Sequence, residues 1–142
     1  MKKILTILFI FGLQTVVAQE TDIRKTIDVF FEGMHTADTL KIKSVSKDLI
    51  MQSVSEKNGT IQLKSESVSE FYKSIASIPA NLKIEERLLD YKIQIDGAMA
   101  HAWTPYEFYI NGKLSHKGVN SFQLFKDNGV WKIIYIVDTR RK

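Results

Sequence analysis

The chain has 142 residues, 44% hydrophobic and 25% charged, a composition that fits one globular domain with an ordinary core. It has no cysteine, which excludes disulfides, thiol nucleophiles and cysteine-ligated metals. The formal net charge of +4 overstates any affinity for nucleic acid: without Lys2 and Lys3, which belong to a segment expected to be removed, 18 basic residues face 16 acidic ones for a net charge of +2. Those charges are intermixed, with one cluster at Arg140-Arg141-Lys142 that reads as a solvated tail, so no nucleic-acid partner is expected.

Residues 1–18 read as a signal peptide. Lys2 and Lys3 precede an apolar run from Ile4 to Val17, and Val16 and Ala18 fit the small-residue cleavage pattern, placing the cut after Ala18. The run is short for a membrane span and carries Gln14 and Thr15 near its end. The expectation is a periplasmic or secreted protein, off the membrane after cleavage, whose residues 19–142 form a single domain.

Residues 21–35 predict a helix, since Ile23, Ile27, Phe30, Phe31 and Met34 fall on one apolar face. Gly33 weakens it locally and suits close packing. Asp38 is placed to cap a short second helix over 38–45. Leu49–Val54 and Thr60–Leu63 then predict a small hairpin around Asn58-Gly59. Ser67-Val68-Ser69-Glu70 is a capping box that opens a third helix carrying Val68, Phe71, Tyr72, Ile75 and Ile78, stopped by Pro79.

From Leu82 on, the period becomes two. Leu89, Tyr91, Ile93 and Ile95 alternate with polar residues, and strands over about 99–110, 114–126 and 130–138 follow. Asp96-Gly97, Asn111-Gly112 and Asn128-Gly129 supply the hairpin turns between them. Gly118 inside a strand predicts a bend or bulge. In the last strand Trp131, Ile133, Tyr135 and Val137 alternate with Ile134 and Ile136, so both faces look apolar.

Helices first and a long antiparallel sheet afterwards predict an α+β fold. Three N-terminal helices would pack on a strongly curved, mostly antiparallel sheet, a cone-shaped barrel that encloses a pocket. The outer sheet face then needs a cover of its own, and a second copy of the chain is the simplest one, giving a homodimer.

This order of elements resembles the nuclear transport factor 2-like superfamily, which includes SnoaL-type polyketide cyclases, ketosteroid isomerases and scytalone dehydratases. Phe30-Phe31-Glu32-Gly33-Met34-His35-Thr36-Ala37-Asp38 is similar to the first-helix pattern of small exported members. His101-Ala102-Trp103-Thr104-Pro105-Tyr106 and His116 to Leu124 resemble their central strands, and Gly129 to Tyr135 with Asp138-Thr139-Arg140 their closing strand. The resemblance spans about residues 22–141. It implies a fold and leaves the reaction open, because these subfamilies share a scaffold and differ in chemistry.

The strongest polar constellation lies on the last two strands. His116, Asn120 and Phe122 share one strand face, and Asp138 and Arg140 share a face at the end of the neighbouring strand. If His116 met Asp138, the carboxylate would orient the imidazole and raise its pKa, readying it for proton transfer. Tyr106 is a candidate oxyanion donor, with Phe108 on its face and Trp103 on the other unless Pro105 introduces a bulge. Phe30, Met34, Tyr106, Phe108, Asn120, Phe122 and Arg140 are the candidate ligand-binding residues, and His116, Asp138 and Tyr106 the candidate catalytic ones. His101 reads as a structural histidine, and His35 sits at a helix C-terminus. The three histidines lack metal-ligand spacing and there is no phosphate loop, so no metal or cofactor is expected. The functional expectation is an exported protein that binds a small apolar organic molecule. The alternatives are an isomerase- or cyclase-like enzyme using His116 or Asp138, and a non-catalytic accessory module.

Overall fold

The computed structural model describes the backbone of residues 2–142 and the side chains from residue 16 onward. Met1 and the side chains of residues 2–15, where most of the expected signal peptide falls, lie outside the described residues. The elements in chain order are α1 (Lys2–His35), α2 (Thr39–Ser44), β1 (Ser46–Lys57), β2 (Thr60–Glu66), α3 (Val68–Ala76), β3 (Ile84–Leu88), β4 (Lys92–Asp96), β5 (Met99–Ile110), β6 (Lys113–Asp127) and β7 (Val130–Arg140).

Local chemistry sets the helix boundaries. The Asp38 carboxylate accepts hydrogen bonds from the backbone N–H groups of Leu40 and Lys41, both at 3.0 Å, and so starts α2. Asp38→Ala is expected to destabilise the fold by about 1 kcal/mol, read as a shifted urea midpoint at unchanged slope. Gly33 lets α2 lie directly on α1: a Cβ there would come within 2.6 Å of Ile42 Cγ1 and 2.9 Å of the Asp38 carbonyl. Ser67 Oγ accepts from the Glu70 N–H and caps α3 as expected.

The strands form one seven-stranded sheet in the order β2-β1-β7-β6-β5-β3, with β4 also paired to β5. Most pairs are antiparallel, but β1 runs parallel to β7, so the sheet is mixed. The expected strongly curved cone or barrel is therefore incorrect. The sheet is open: β2 at one end and β3 at the other do not pair, so no ladder closes it. The physical reason lies in the early hairpin, β1–β2. It adds to the edge of β7 and lengthens the sheet at that side rather than bridging it to β3. The three helices supply the second layer.

Two irregularities set which residues face the helices. Pro105 on β5 has no N–H to give, and the expected strand around Leu89–Ile95 breaks opposite it. β3 ends with Leu88 across from Tyr106, β4 begins with Lys92 across from Trp103, and residues 89–91 leave the ladder except for the Leu89 N–H bond to the Pro105 carbonyl at 2.8 Å. No bulge occurs at Pro105, and Trp103 stays on the outer face, exposed. A register shift between Gln123 and Leu124 inverts the phase of β7. Trp131 and Ile133 are buried at its start, whereas farther along Ile136 is buried and Tyr135 is not. The expected alternation thus holds only up to Ile133.

The core lies between α1, α3 and the inner sheet face. Phe30 stacks on Phe71 at 6.1 Å and meets Phe122 edge-on at 6.4 Å, while Phe31 meets Phe122 at 6.0 Å. Ile23, Ile27, Ala102, Leu124 and Ile133 close the packing on the side away from the strand ends at β3 and Arg140.

Candidate functional site

Past Phe122 the core gives way to a cavity of about 250 Å³. Phe30, Phe31, Met34, Phe71 and Ile75 line it from the helices. Ile84, Glu86, Tyr106, Phe108, His116, Asn120, Phe122, Ile136, Asp138 and Arg140 line it from strands β3, β5, β6 and β7, with Met51, Gln52 and Glu66 from β1 and β2. All nine residues singled out from the sequence border this one space. Cross-strand register puts them there: Phe108 pairs with His116, Tyr106 with Gly118, Thr104 with Asn120, and Asn120 in turn with Asp138.

The polar groups gather toward one end. Arg140 Nε donates to Asp138 Oδ2 at 2.8 Å. The Tyr106 hydroxyl donates to the Thr139 carbonyl at 2.9 Å and lies 3.3 Å from Asp138 Oδ2. Burial, with the Asp138 and Glu86 carboxylates beside it, raises the Tyr106 pKa far above that of a free phenol. Tyr106 is thus a neutral hydroxyl engaged with backbone.

Gly118 explains how that contact is made. Of the bend or bulge expected from the sequence, no bulge occurs, since the register runs unbroken through Gly118. Its missing side chain is instead required because a Cβ would lie 1.7 Å from the Thr139 carbonyl oxygen and 3.0 Å from the Tyr106 ring. The close approach lets Tyr106 cross over β6 and reach β7.

His116 does not meet Asp138. Its ring stacks on Phe108 at 4.9 Å and touches Tyr106 edge-on at 5.8 Å, and its Nδ1 lies 3.2 Å from Ser115 Oγ. Burial lowers its pKa and Arg140 lowers it further, with Asp138 opposing. The carboxylate-raised imidazole expected from the sequence is therefore replaced by one held toward its neutral form. His101 lies on the outer face, its Nε2 3.0 Å from Ser121 Oγ.

The residue that sequence reasoning missed is Glu86. It sits on β3 across from Phe108, and its Oε1 accepts from Asn120 Nδ2 at 2.7 Å. The residue keeps some surface, but protein encloses the carboxyl on nearly every side. That enclosure raises its pKa to about 7. The Asn120 hydrogen bond pulls it down, Asp138 pushes it up, and Arg140 pulls it down again. Its backbone is held separately: the Glu86 N–H donates to His35 Nε2 at 2.8 Å, tying the end of α1 to the edge strand.

That tie is pH-sensitive. Partial burial lowers the His35 pKa from 6.5, and Glu85 opposes the shift. The stability that neutral His35 confers is present above pH 6.5 and is lost as the pH falls through the lowered value, where Nε2 takes up a proton and stops accepting. The Glu86 amide is expected to lose hydrogen-exchange protection below pH 6.5 before the amides of β6 do. Equal loss in both strands would show that His35 does not hold β3.

The open mixed sheet, the three helices packed on it and the cavity between them give this chain the same fold as solved NTF2-like proteins. It is similar to an NTF2-like protein of unknown function from Shewanella baltica, with 14% identity over 89% of this chain and 96% of that one and a TM-score of 0.64. It is similar too to a provisionally assigned dehydratase of the NTF2-like family from Streptomyces avermitilis, with 17% identity, 86% and 95% coverage and a TM-score of 0.62. A third likeness is to the β subunit of a provisionally assigned aromatic-ring-hydroxylating dioxygenase from Novosphingobium aromaticivorans, with 10% identity, 90% and 92% coverage and a TM-score of 0.71. At these identities the likeness concerns the fold, and such different neighbours illustrate that the fold does not select a chemistry. No protein-family model matches the sequence, and no curated protein matches it.

Proposed function

We propose that this protein binds a small, largely apolar organic molecule in the cavity beneath α1 and α3. The supporting observation is the lining itself: phenylalanine, methionine and isoleucine side chains surround most of it, and Glu86, Asn120, Asp138 and Arg140 converge at one end. Binding is favoured over proton transfer by His116 or Asp138 because both are otherwise engaged. Asp138 is held by Arg140, His116 is stacked on Phe108 and meets Tyr106 edge-on, and the Tyr106 hydroxyl donates to Thr139.

The pattern of residues 1–18 supports export to the periplasm or beyond. Met99, Trp103, Phe125 and Val130 are exposed on the outer sheet face, which supports a homodimer through that face. Light scattering of the mature protein checks the dimer, and a monomer at micromolar concentration would discard it.

The test of binding is native mass spectrometry of the mature protein from its own host, with released small molecules identified after denaturation. A reproducible bound molecule is the expected result. An empty protein with no thermal shift across an apolar ligand panel would favour an accessory module whose cavity residues serve packing.

A further inference from the structure

The charge around the cavity is one-sided. Glu66, Glu86 and Asp138 border it against a single guanidinium, Arg140, giving a net charge of −2 when all three carboxyls are ionised. Arg140 is already committed: its Nε bonds Asp138 at 2.8 Å, and the Glu66 charge acts on it as well. His116 supplies no second cation, since burial and Arg140 both hold it toward the neutral form. Asn120 gives Glu86 a hydrogen bond without giving it charge. This local excess of negative charge runs against the positive balance of the whole chain.

Glu86 is the group this arrangement leaves unsatisfied. Among the described residues its carboxyl has one hydrogen-bond donor, Asn120, and no ion-pair partner. The charged and titratable groups around it are Asp138 and Arg140 on β7, His116 on β6, Tyr106 on β5 and Glu66 on β2 in the cavity, Asp28 and Glu32 of α1 and Tyr91 on its other side, and Glu85 and Arg87 beside it on β3, with His35 of α1 holding its backbone. An anion entering the cavity would add a further uncompensated negative charge. A cation would relieve both the enclosure of Glu86 and its repulsion by Asp138. The rings of Phe30, Phe31, Phe71, Phe108 and Phe122 present faces or edges to the same space, a surrounding that suits an organic cation.

We propose that the cavity takes an organic amine, its ammonium group bound against the Glu86 carboxylate and its compact apolar body seated among the phenylalanines and isoleucines. The inference rests on the cavity being a binding site and names the ligand class for it. No covalent step is involved. The ammonium enters, the Glu86 carboxyl gives its proton to solvent, and an ion pair forms.

The pH dependence follows. Glu86 ionises at about pH 7, so the binding-competent carboxylate is scarce below that pH and dominant above it. Ammonium affinity is expected to rise about tenfold from roughly pH 6 to roughly pH 8. Near pH 6 binding should release close to a full proton, and near pH 8 almost none.

The probes are three molecules with one rigid body: 1-adamantylamine, 1-adamantanol and 1-adamantanecarboxylate, titrated calorimetrically in two buffers of different ionisation enthalpy. The expected order at about pH 8 is amine over alcohol by roughly 10- to 100-fold, with the carboxylate weakest. Glu86→Gln should bring the amine down to the level of the alcohol, and an unchanged far-UV circular dichroism spectrum with a cooperative melt shows that the variant folds. If the carboxylate or the alcohol binds and the amine does not exceed them, or if amine affinity is the same at both pH values, the amine assignment is overturned and the binding site stands. If none of the three binds at millimolar concentration, the binding site and the amine assignment fall together.

Discussion

Gly118→Ala is expected to destabilise the protein by roughly 3–5 kcal/mol, the largest effect of any conservative substitution suggested by this structure. The added methyl would sit 1.7 Å from the Thr139 carbonyl oxygen, a backbone atom that cannot rotate away. β7 must separate from β6 near its end, and the Tyr106 ring, 3.0 Å from the new methyl, is crowded as well. The separation disturbs the Val119 N–H bond to Thr139 Oγ1, the Lys117–Arg141 bridge and the 2.9 Å bond from Tyr106 to Thr139. Urea unfolding measures the cost, and Tyr106→Phe isolates the hydroxyl at about 1 kcal/mol. A Gly118→Ala protein melting within about 2 °C of the parent would show that the strands move apart freely there.

Replacing Glu86 by glutamine is expected to change how stability depends on pH. Between pH 4.5 and about 7 the folded chain keeps a proton on Glu86 that the unfolded chain gives up. Stability must therefore fall as the pH rises through that window, by at most about 3 kcal/mol and by less where cavity water screens the charge. Glutamine keeps the shape and the Asn120 contact but cannot ionise. The variant should match the parent near pH 4.5 and exceed it by about 2–3 kcal/mol near pH 8. His35 acts in the opposite sense, losing stability as the pH falls, but it is common to both proteins and cancels in the difference. Parallel stability curves for the two proteins would rule out a protonated Glu86.

Phe30, Phe122 and Asn120 could be assigned to one space because each lies on an element whose period holds along its length. Glu86 was hidden by its neighbours. Ile84-Glu85-Glu86-Arg87-Leu88 looks like a solvated charge run, and the signal lay in its phase: Glu86 interrupts the inward alternation of Ile84 and Leu88. Gly118 stood out as a glycine inside a strand, but such a glycine says that something comes close without saying what, and here it is the Thr139 carbonyl.

The helical stretch from residue 21 to His35, helices α2 and α3, capping by Asp38 and Ser67, and the hairpin turns, where Asn58, Asn111 and Asn128 adopt φ of 53°, 49° and 48°, were legible along the chain, whereas the start of α1 at Lys2 was not. These features depend on neighbours a few residues away, and their chemistry is written locally. The open sheet, the parallel pairing of β1 with β7, the inverted phase after Ile133 and the enclosure of Glu86 were not legible. Each depends on which distant strand becomes a neighbour, and a shift of one residue exchanges every inward side chain for an outward one. The pKa of a carboxyl is likewise decided by what surrounds it, so the charge of this cavity exists only once the strands and helices have come together.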